Sequence, residues 1–214
     1  MSNIHRAFAD GKAFIGFLTG GDPGIAQTKE FILEMIRAGA DLIEIGIPFS
    51  DPIAEGPVIQ AANIRALSGG ATIAKLFTLV EELRRETAVP IVFLTYLNPV
   101  AHYGYDAFCK RAAEAGLDGI IIPDLPFEEQ APVRKTADTY GIDLISLIAP
   151  TSDSRIKDIA QNAAGFIYLV SSMGVTGTRT EITTDLSAMA AAIKSVTSRI
   201  RPSSAHWVAK ISAP

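Results

Sequence analysis

Apolar residues in this chain fall into short unbroken runs, separated by longer stretches in which they recur at helical spacing. The runs cover residues 13–19 (AFIGFLT), 41–46 (DLIEIG), 90–95 (PIVFLT), 118–123 (DGIIIP), 143–148 (DLISLI) and 165–170 (GFIYLV). Nearly continuous apolar runs of this length read as parallel strands buried on both faces. The stretches at 25–38, 73–86, 105–115, 128–140, 154–161 and 184–196 carry the helical period.

One layout occurs three times where a helix gives way to a strand: Ala38-Gly39-Ala40-Asp41-Leu42-Ile43, Ala115-Gly116-Leu117-Asp118-Gly119-Ile120 and Tyr140-Gly141-Ile142-Asp143-Leu144-Ile145. The glycine suits the left-handed position just past a helix end, and the Asp then opens the next strand. The predicted order is therefore a chain of βα units. Six such units fit a barrel or a doubly wound sheet, and spacing alone leaves both open. In either architecture the working surface lies at the carboxyl ends of the strands. Those ends carry residues 19–23 (TGGDP), 44–51, 96–99 (YLNP), 123–126 (PDLP), 149–152 (APTS) and 171–180. No GxGxxG follows the first run and no GxxxxGK[ST] occurs, which argues against a dinucleotide fold or a P-loop nucleotidase.

Composition narrows the setting. With 214 residues, 48% of them hydrophobic and 20% charged, the chain can bury a sizeable core. A net charge of −4 with scattered Lys and Arg argues against a nucleic-acid groove or an anionic membrane surface. The single cysteine, Cys109, excludes an internal disulfide framework and fits a reducing compartment. There is no apolar leader after Met1 and no run near the roughly 18 residues of a spanning helix. A cytoplasmic protein is the expectation.

Glu44 is the sharpest local anomaly, a carboxylate inside Leu42-Ile43-Glu44-Ile45-Gly46-Ile47. A buried acid must be paired, hydrogen-bonded or protonated, and desolvation raises its pKa toward the range useful for proton transfer. A salt-bridged strand-edge Glu is the other reading. Glu55 follows in a stiff loop, Pro48 to Pro57, with three prolines and a glycine. It fits either a solvated loop acid or a second carboxylate on the same pocket. Ser171 through Thr180 has the small residues of a phosphate-cradling or closing loop, or of an ordinary flexible one. His5, His102 and His206 show no metal spacing, and Asp22, Asp51 and Asp124 form no cluster that specifies a cation. Cys109 reads as a packing residue.

At these motifs the sequence resembles the α subunit of tryptophan synthase, over residues 4–197. The most specific part is Leu42-Ile43-Glu44-Ile45-Gly46-Ile47-Pro48-Phe49-Ser50-Asp51-Pro52, with Phe17-Leu18-Thr19-Gly20-Gly21-Asp22-Pro23, Pro123-Asp124-Leu125-Pro126 and Gly174-Val175-Thr176-Gly177 in the same order. The resemblance implies an α/β fold of the (β/α)₈ TIM-barrel family. It implies a lyase that cleaves indole-3-glycerol phosphate to indole and glyceraldehyde 3-phosphate in tryptophan biosynthesis. Neither metal nor cofactor is implied for this chain; pyridoxal phosphate would belong to a β subunit, the implied partner in an α2β2 assembly. Glu44 matches the acid–base glutamate. Glu55 matches the second catalytic carboxylate, usually Asp, so one extra methylene displaces the charge by about 1.5 Å. Phe17, Leu94, Tyr96, Ile121, Ile148 and Tyr168 match residues around the indole and propanol parts of the substrate. Thr176 matches a closing-loop threonine and Gly177 a phosphate-binding glycine. Pro48, Asp51 and Asn98 lie in segments that resemble the β-subunit contact surface.

The likeness stops near the C-terminus. Residues 1–197 read as one βα-barrel domain of six units and 198–214 as an atypical tail, with a candidate seventh strand at 206–211. Family members add a seventh and an eighth strand whose glycine-rich turns hold the substrate phosphate. Here the glycine expected before Ile211-Ser212-Ala213-Pro214 is Lys210. The expectation is an incomplete barrel with a weakened phosphate site and impaired activity. Two other readings stand beside it: a non-catalytic α-like subunit that regulates a β partner, and another phosphate-handling barrel enzyme, which the Glu44 segment disfavours.

Overall fold

The computed structural model describes residues 2–170, 185–196 and 207–209. Among them seven strands run parallel: β1 (Ile15–Thr19), β2 (Leu42–Gly46), β3 (Ile91–Leu94), β4 (Gly119–Ile121), β5 (Asp143–Ile148), β6 (Ile167–Leu169) and β7 (Trp207–Ala209). They pair strictly in chain order, β1-β2-β3-β4-β5-β6-β7. A doubly wound sheet reverses its order at a switch point, whereas a barrel wall adds each strand beside the last. The order therefore resolves what spacing left open, in favour of the (β/α)₈ barrel family. Each strand lies within two residues of its predicted span at either end.

Eight helices accompany the described strands: α1 (Ile25–Arg37), α2 (Pro57–Ser68), α3 (Ile73–Arg84), α4 (Leu97–Tyr103), α5 (Tyr105–Ala115), α6 (Ala131–Tyr140), α7 (Ile156–Gln161) and α8 (Leu186–Val196). Two of them fall outside the periodic stretches. In α2 three of the large apolar residues, Val58, Ile64 and Leu67, are exposed, so no buried stripe marks it. It starts instead on Pro57, in the first turn behind Gly56, where a missing N–H costs nothing. The seven residues of α4 are too few to establish a period. The stretch at 128–140 is divided into a 3₁₀ turn, Phe127–Glu129, and α6.

The threefold layout has a structural basis on both counts. Gly116 and Gly141 end α5 and α6 in left-handed conformations, at φ 84° and 69°. The Asp that follows reaches back to an earlier strand: Asp41 Oδ2 accepts the Phe14 N–H at 2.8 Å, and Asp118 Oδ2 accepts the Ile91 N–H at 2.9 Å. Each of these carboxylates satisfies a backbone donor at the start of the neighbouring strand.

Two buried layers line the wall. On the outer face Ile43, Ile45, Phe93, Ile120 and Leu144 join Ile32, Leu76, Phe77, Phe108 and Val133 from the helices. Phe77 is the hub, with ring centroids 5.5 Å from Phe93 and 5.3 Å from Phe108. On the inner face Leu42, Val92, Leu94, Ile121, Ile145, Phe166 and Tyr168 form a second cluster. A 3₁₀ helix at Ile4–Phe8 adds Ile4 and Phe8 to this cluster, with the Phe8 and Phe166 rings 5.8 Å apart. Asn3 N–H donates to Asp118 Oδ1 at 2.8 Å and fixes this plug at the amino ends of the strands. The carboxyl ends are left for polar side chains.

Candidate active site

Alternation along β2 places Leu42, Glu44 and Gly46 on the inner face, because Ile43 and Ile45 belong to the outer cluster. Glu44 is only 2% exposed, and its register partners are Phe17 on β1 and Val92 on β3. Gly46 has a specific reason to lack a side chain: a Cβ there would meet Phe17 Cε2 and Cζ at 3.1 Å. The acid that the sequence singled out thus stands inside the barrel wall, bordered by an aromatic ring and a valine.

Glu55 is buried as well, at 4% exposure, which sets aside the solvated-loop reading. Its Oε2 is buried and makes no hydrogen bond among the described residues. The loop that carries it is held by two side chains. The Tyr96 hydroxyl accepts the Ala54 N–H at 3.1 Å, and Gln60 Nε2 donates to the Glu55 carbonyl at 2.8 Å. Behind it, Arg65 of α2 donates to both carboxylate oxygens of Asp22, at 2.8 and 2.6 Å, and ties α2 to the loop after β1.

Tyr168 of β6 connects the two acids electrostatically. Its phenol is pushed well above the ordinary tyrosine range, first by burial and then by the charges of Glu44 and Glu55. Tyr96 is pushed up to about 12, again mainly by burial, with Glu55 and Asp124 contributing. Both phenols therefore stay protonated near neutrality, beside two carboxyl groups in a largely apolar space. Such a site can give and take a proton and can stabilise a developing positive charge.

The other predicted residues divide. Leu94, Ile121 and Tyr168 belong to the inner cluster, with Phe17 packed against it. Tyr96 is buried just beyond β3. Ile148 requires a correction: it lies in an outer cluster with Ile156, Ile159, Ile167 and Ile193, under α7 and α8. The inward neighbour on β5 is Leu147, which pairs in register with Tyr168 and packs against the inner cluster. Thr176 and Gly177 lie outside the described residues. Pro48 is buried, while Asp51 is exposed on the loop beyond β2 and Asn98 is exposed in the first turn of α4, beyond β3. Gln60 was not legible as a site residue, since its role depends on α2. The acids at strand ends are separately engaged: Asp22 with Arg65, Asp51 with the Ser50 hydroxyl, and Asp124 with the Leu97 N–H. Among the described residues no group of three or more His, Cys, Asp or Glu side chains could hold a metal ion. Cys109 is buried in the outer core and its thiol is pushed up to about 11 by burial, as suits a packing residue.

Comparison with known proteins adds a family to this geometry. The sequence profile of the tryptophan synthase alpha chain family matches residues 5–203. The tryptophan synthase alpha chain of Lacticaseibacillus casei is 51% identical over 197 residues, covering 92% of this chain and 74% of that one. Among solved structures, Mycobacterium tuberculosis tryptophan synthase superposes with a TM-score of 0.83 at 32% identity, over 92% of this chain and 77% of that chain. The tryptophan synthase α2β2 complex of Pyrococcus furiosus matches with a TM-score of 0.71 at 41% identity, over 74% of this chain and 66% of that chain. No helix among the described residues is long and apolar enough to cross a membrane.

Proposed function

The chain belongs to the tryptophan synthase alpha chain family, and from that premise we propose that it cleaves indole-3-glycerol phosphate at the Glu44–Glu55 site. The products are indole and glyceraldehyde 3-phosphate, and the activity is that of a lyase in tryptophan biosynthesis. The observation that carries the site assignment is the convergence of two carboxyl groups, 2% and 4% exposed, beside the Tyr168 phenol at the carboxyl ends of the strands.

The chemistry needs two proton movements that one acid can perform in turn. Protonation of indole C3 leaves a positive charge shared with the ring nitrogen. Removal of the proton from the adjacent glycerol hydroxyl then lets the carbon–carbon bond break. Its electron pair returns to the ring as the aldehyde forms. Glu44 gives the first proton and takes the second, so it ends as it began. Glu55 holds the indole N–H and offsets the charge on the ring while it lasts. Phe17, Leu94, Ile121 and Tyr168 supply the apolar walls that keep water from the carboxyl groups. This assignment leaves no step on the chain that calls for a metal or an organic cofactor, and it allots pyridoxal phosphate to the partner.

That partner is a tryptophan synthase β subunit, and Pro48 and Asp51, beyond β2, and Asn98, in the first turn of α4, are the contact residues we assign. Thr176 and Gly177 are assigned to loop closure and the substrate phosphate. Residues 1–197 form the barrel domain on this reading, with the tail at 198–214 contributing β7. A lone, buried cysteine supports a reducing, cytoplasmic setting. Steady-state indole formation from indole-3-glycerol phosphate, with β subunit added, tests the proposal. Indole released in step with glyceraldehyde 3-phosphate supports it. Activation of the β subunit without any cleavage would support a regulatory α-like role instead.

A further inference from the structure

Glu55 lies in a segment, residues 47–56, where neither strand nor helix fixes the backbone. A catalytic carboxylate on such a segment needs some other means of holding its place, because about 1 Å of displacement can cost about a hundredfold in rate. The structure supplies it through side chains from outside the segment. The Tyr96 hydroxyl accepts the Ala54 N–H at 3.1 Å, which fixes the Ile53–Ala54 peptide unit, one residue upstream of Glu55. Gln60 holds the carbonyl on the other side at 2.8 Å. Tyr96 is itself well anchored. It is buried, and the N–H of the next residue, Leu97, donates to Asp124 Oδ1 at 2.9 Å.

We infer that Tyr96 is a positioning residue for Glu55: its hydroxyl pins the Ile53–Ala54 peptide and, with Gln60 on the Glu55 carbonyl, sets where the carboxylate stands. This differs from a role as pocket wall, and it rests on the reading of Glu55 as the second carboxylate. The chemistry of the bond fits. The phenol oxygen is the acceptor, a role its lone pairs fill while the hydroxyl keeps its proton. The ring meets Phe49 of the same segment, and the oxygen makes the one hydrogen bond from Tyr96 to Ala54.

Tyr96→Phe isolates that oxygen, since the ring and its contact with Phe49 remain. Two readouts on the full chain with β subunit decide the matter: amide hydrogen exchange of a peptide spanning residues 50–56, and steady-state indole formation. The expected result is exchange in that segment roughly five- to tenfold faster. It is accompanied by a fall in kcat of about tenfold to a hundredfold, with KM little changed. Unchanged exchange overturns the inference, and so does faster exchange with unchanged kcat. Glu55→Ala measured alongside separates the two failures. Parental kcat with Ala at 55 sinks the reading of Glu55 itself. A loss there, with no loss in Tyr96→Phe, sinks only the positioning role.

Discussion

Phe17 and Glu44 are register partners across β1 and β2, and Gly46, two residues beyond the acid, is what gives the Phe17 ring its room. A methyl group at 46 would meet two ring carbons at 3.1 Å, closer than they can comfortably stay. Gly46→Ala therefore requires the ring beside Glu44 to give by a few tenths of an ångström. It should destabilise the fold by about 1–3 kcal/mol, the usual cost of overpacking a filled core, and lower kcat as well. Urea unfolding checks the first effect; an unchanged midpoint would show that the ring yields freely.

At position 55 the family's usual residue is one methylene shorter. If Glu55 acts through its carboxylate, Glu55→Asp should retain or improve indole formation, whereas Glu55→Ala should lose most of it. Removal of a charge that faces a developing cation typically costs about 10²–10³ in kcat. Equal rates for parent, Asp and Ala variants would return Glu55 to the role of a structural loop acid.

At the opposite end of the barrel the Asp118 carboxylate accepts from the Asn3 and Ile91 N–H groups and from the Arg84 guanidinium. The side chains of Arg84 and Asp118 are 19% and 5% exposed. Burial lowers the Arg84 pKa and the Asp118 carboxylate opposes that shift. Asp118→Ala leaves the Arg84 charge with only the Gly116 and Val89 carbonyls and strands two backbone donors; it should cost about 3–5 kcal/mol, while leaving the active site's residues untouched. Chemical denaturation measures it, and a loss below about 1 kcal/mol would mean that water replaces the carboxylate.

The phenols give a pH dependence with a definite sign. Tyr96 titrates at about 12 in the fold against 10.0 unperturbed, and Tyr168 is displaced in the same direction. Above 10 the unfolded chain gives up protons that the fold retains, so stability falls as pH rises through that window and is fully present below it. Melting temperatures across the alkaline range should decline, less steeply in Tyr96→Phe. A flat profile in the parent would contradict the burial of these hydroxyls.

Much of this was legible in the chain, for identifiable reasons. Strands buried on both faces leave continuous apolar runs, and Glu44 stood out because it broke one. The glycines at 116 and 141 announced their left-handed turns. The same continuity concealed other things. In 143–148 both faces are apolar, so the run does not say that Leu147 points inward and Ile148 outward; the pairing of Leu147 with Tyr168 does. Glu55 could not be told from a surface acid, because its burial depends on contacts such as that of Tyr96 with Ala54, 42 residues apart in sequence. The strand order that distinguishes a barrel from a doubly wound sheet is likewise a property of pairing and not of spacing.

Glu44 carries both proton transfers of the proposed cleavage. Glu44→Gln keeps the volume of the side chain but removes its titrating proton. Indole formation from indole-3-glycerol phosphate, measured for parent and variant with β subunit present, should fall to background in the variant while its unfolding midpoint stays close to that of the parent. Turnover near the parental rate in a folded Glu44→Gln protein would contradict the two-carboxylate mechanism.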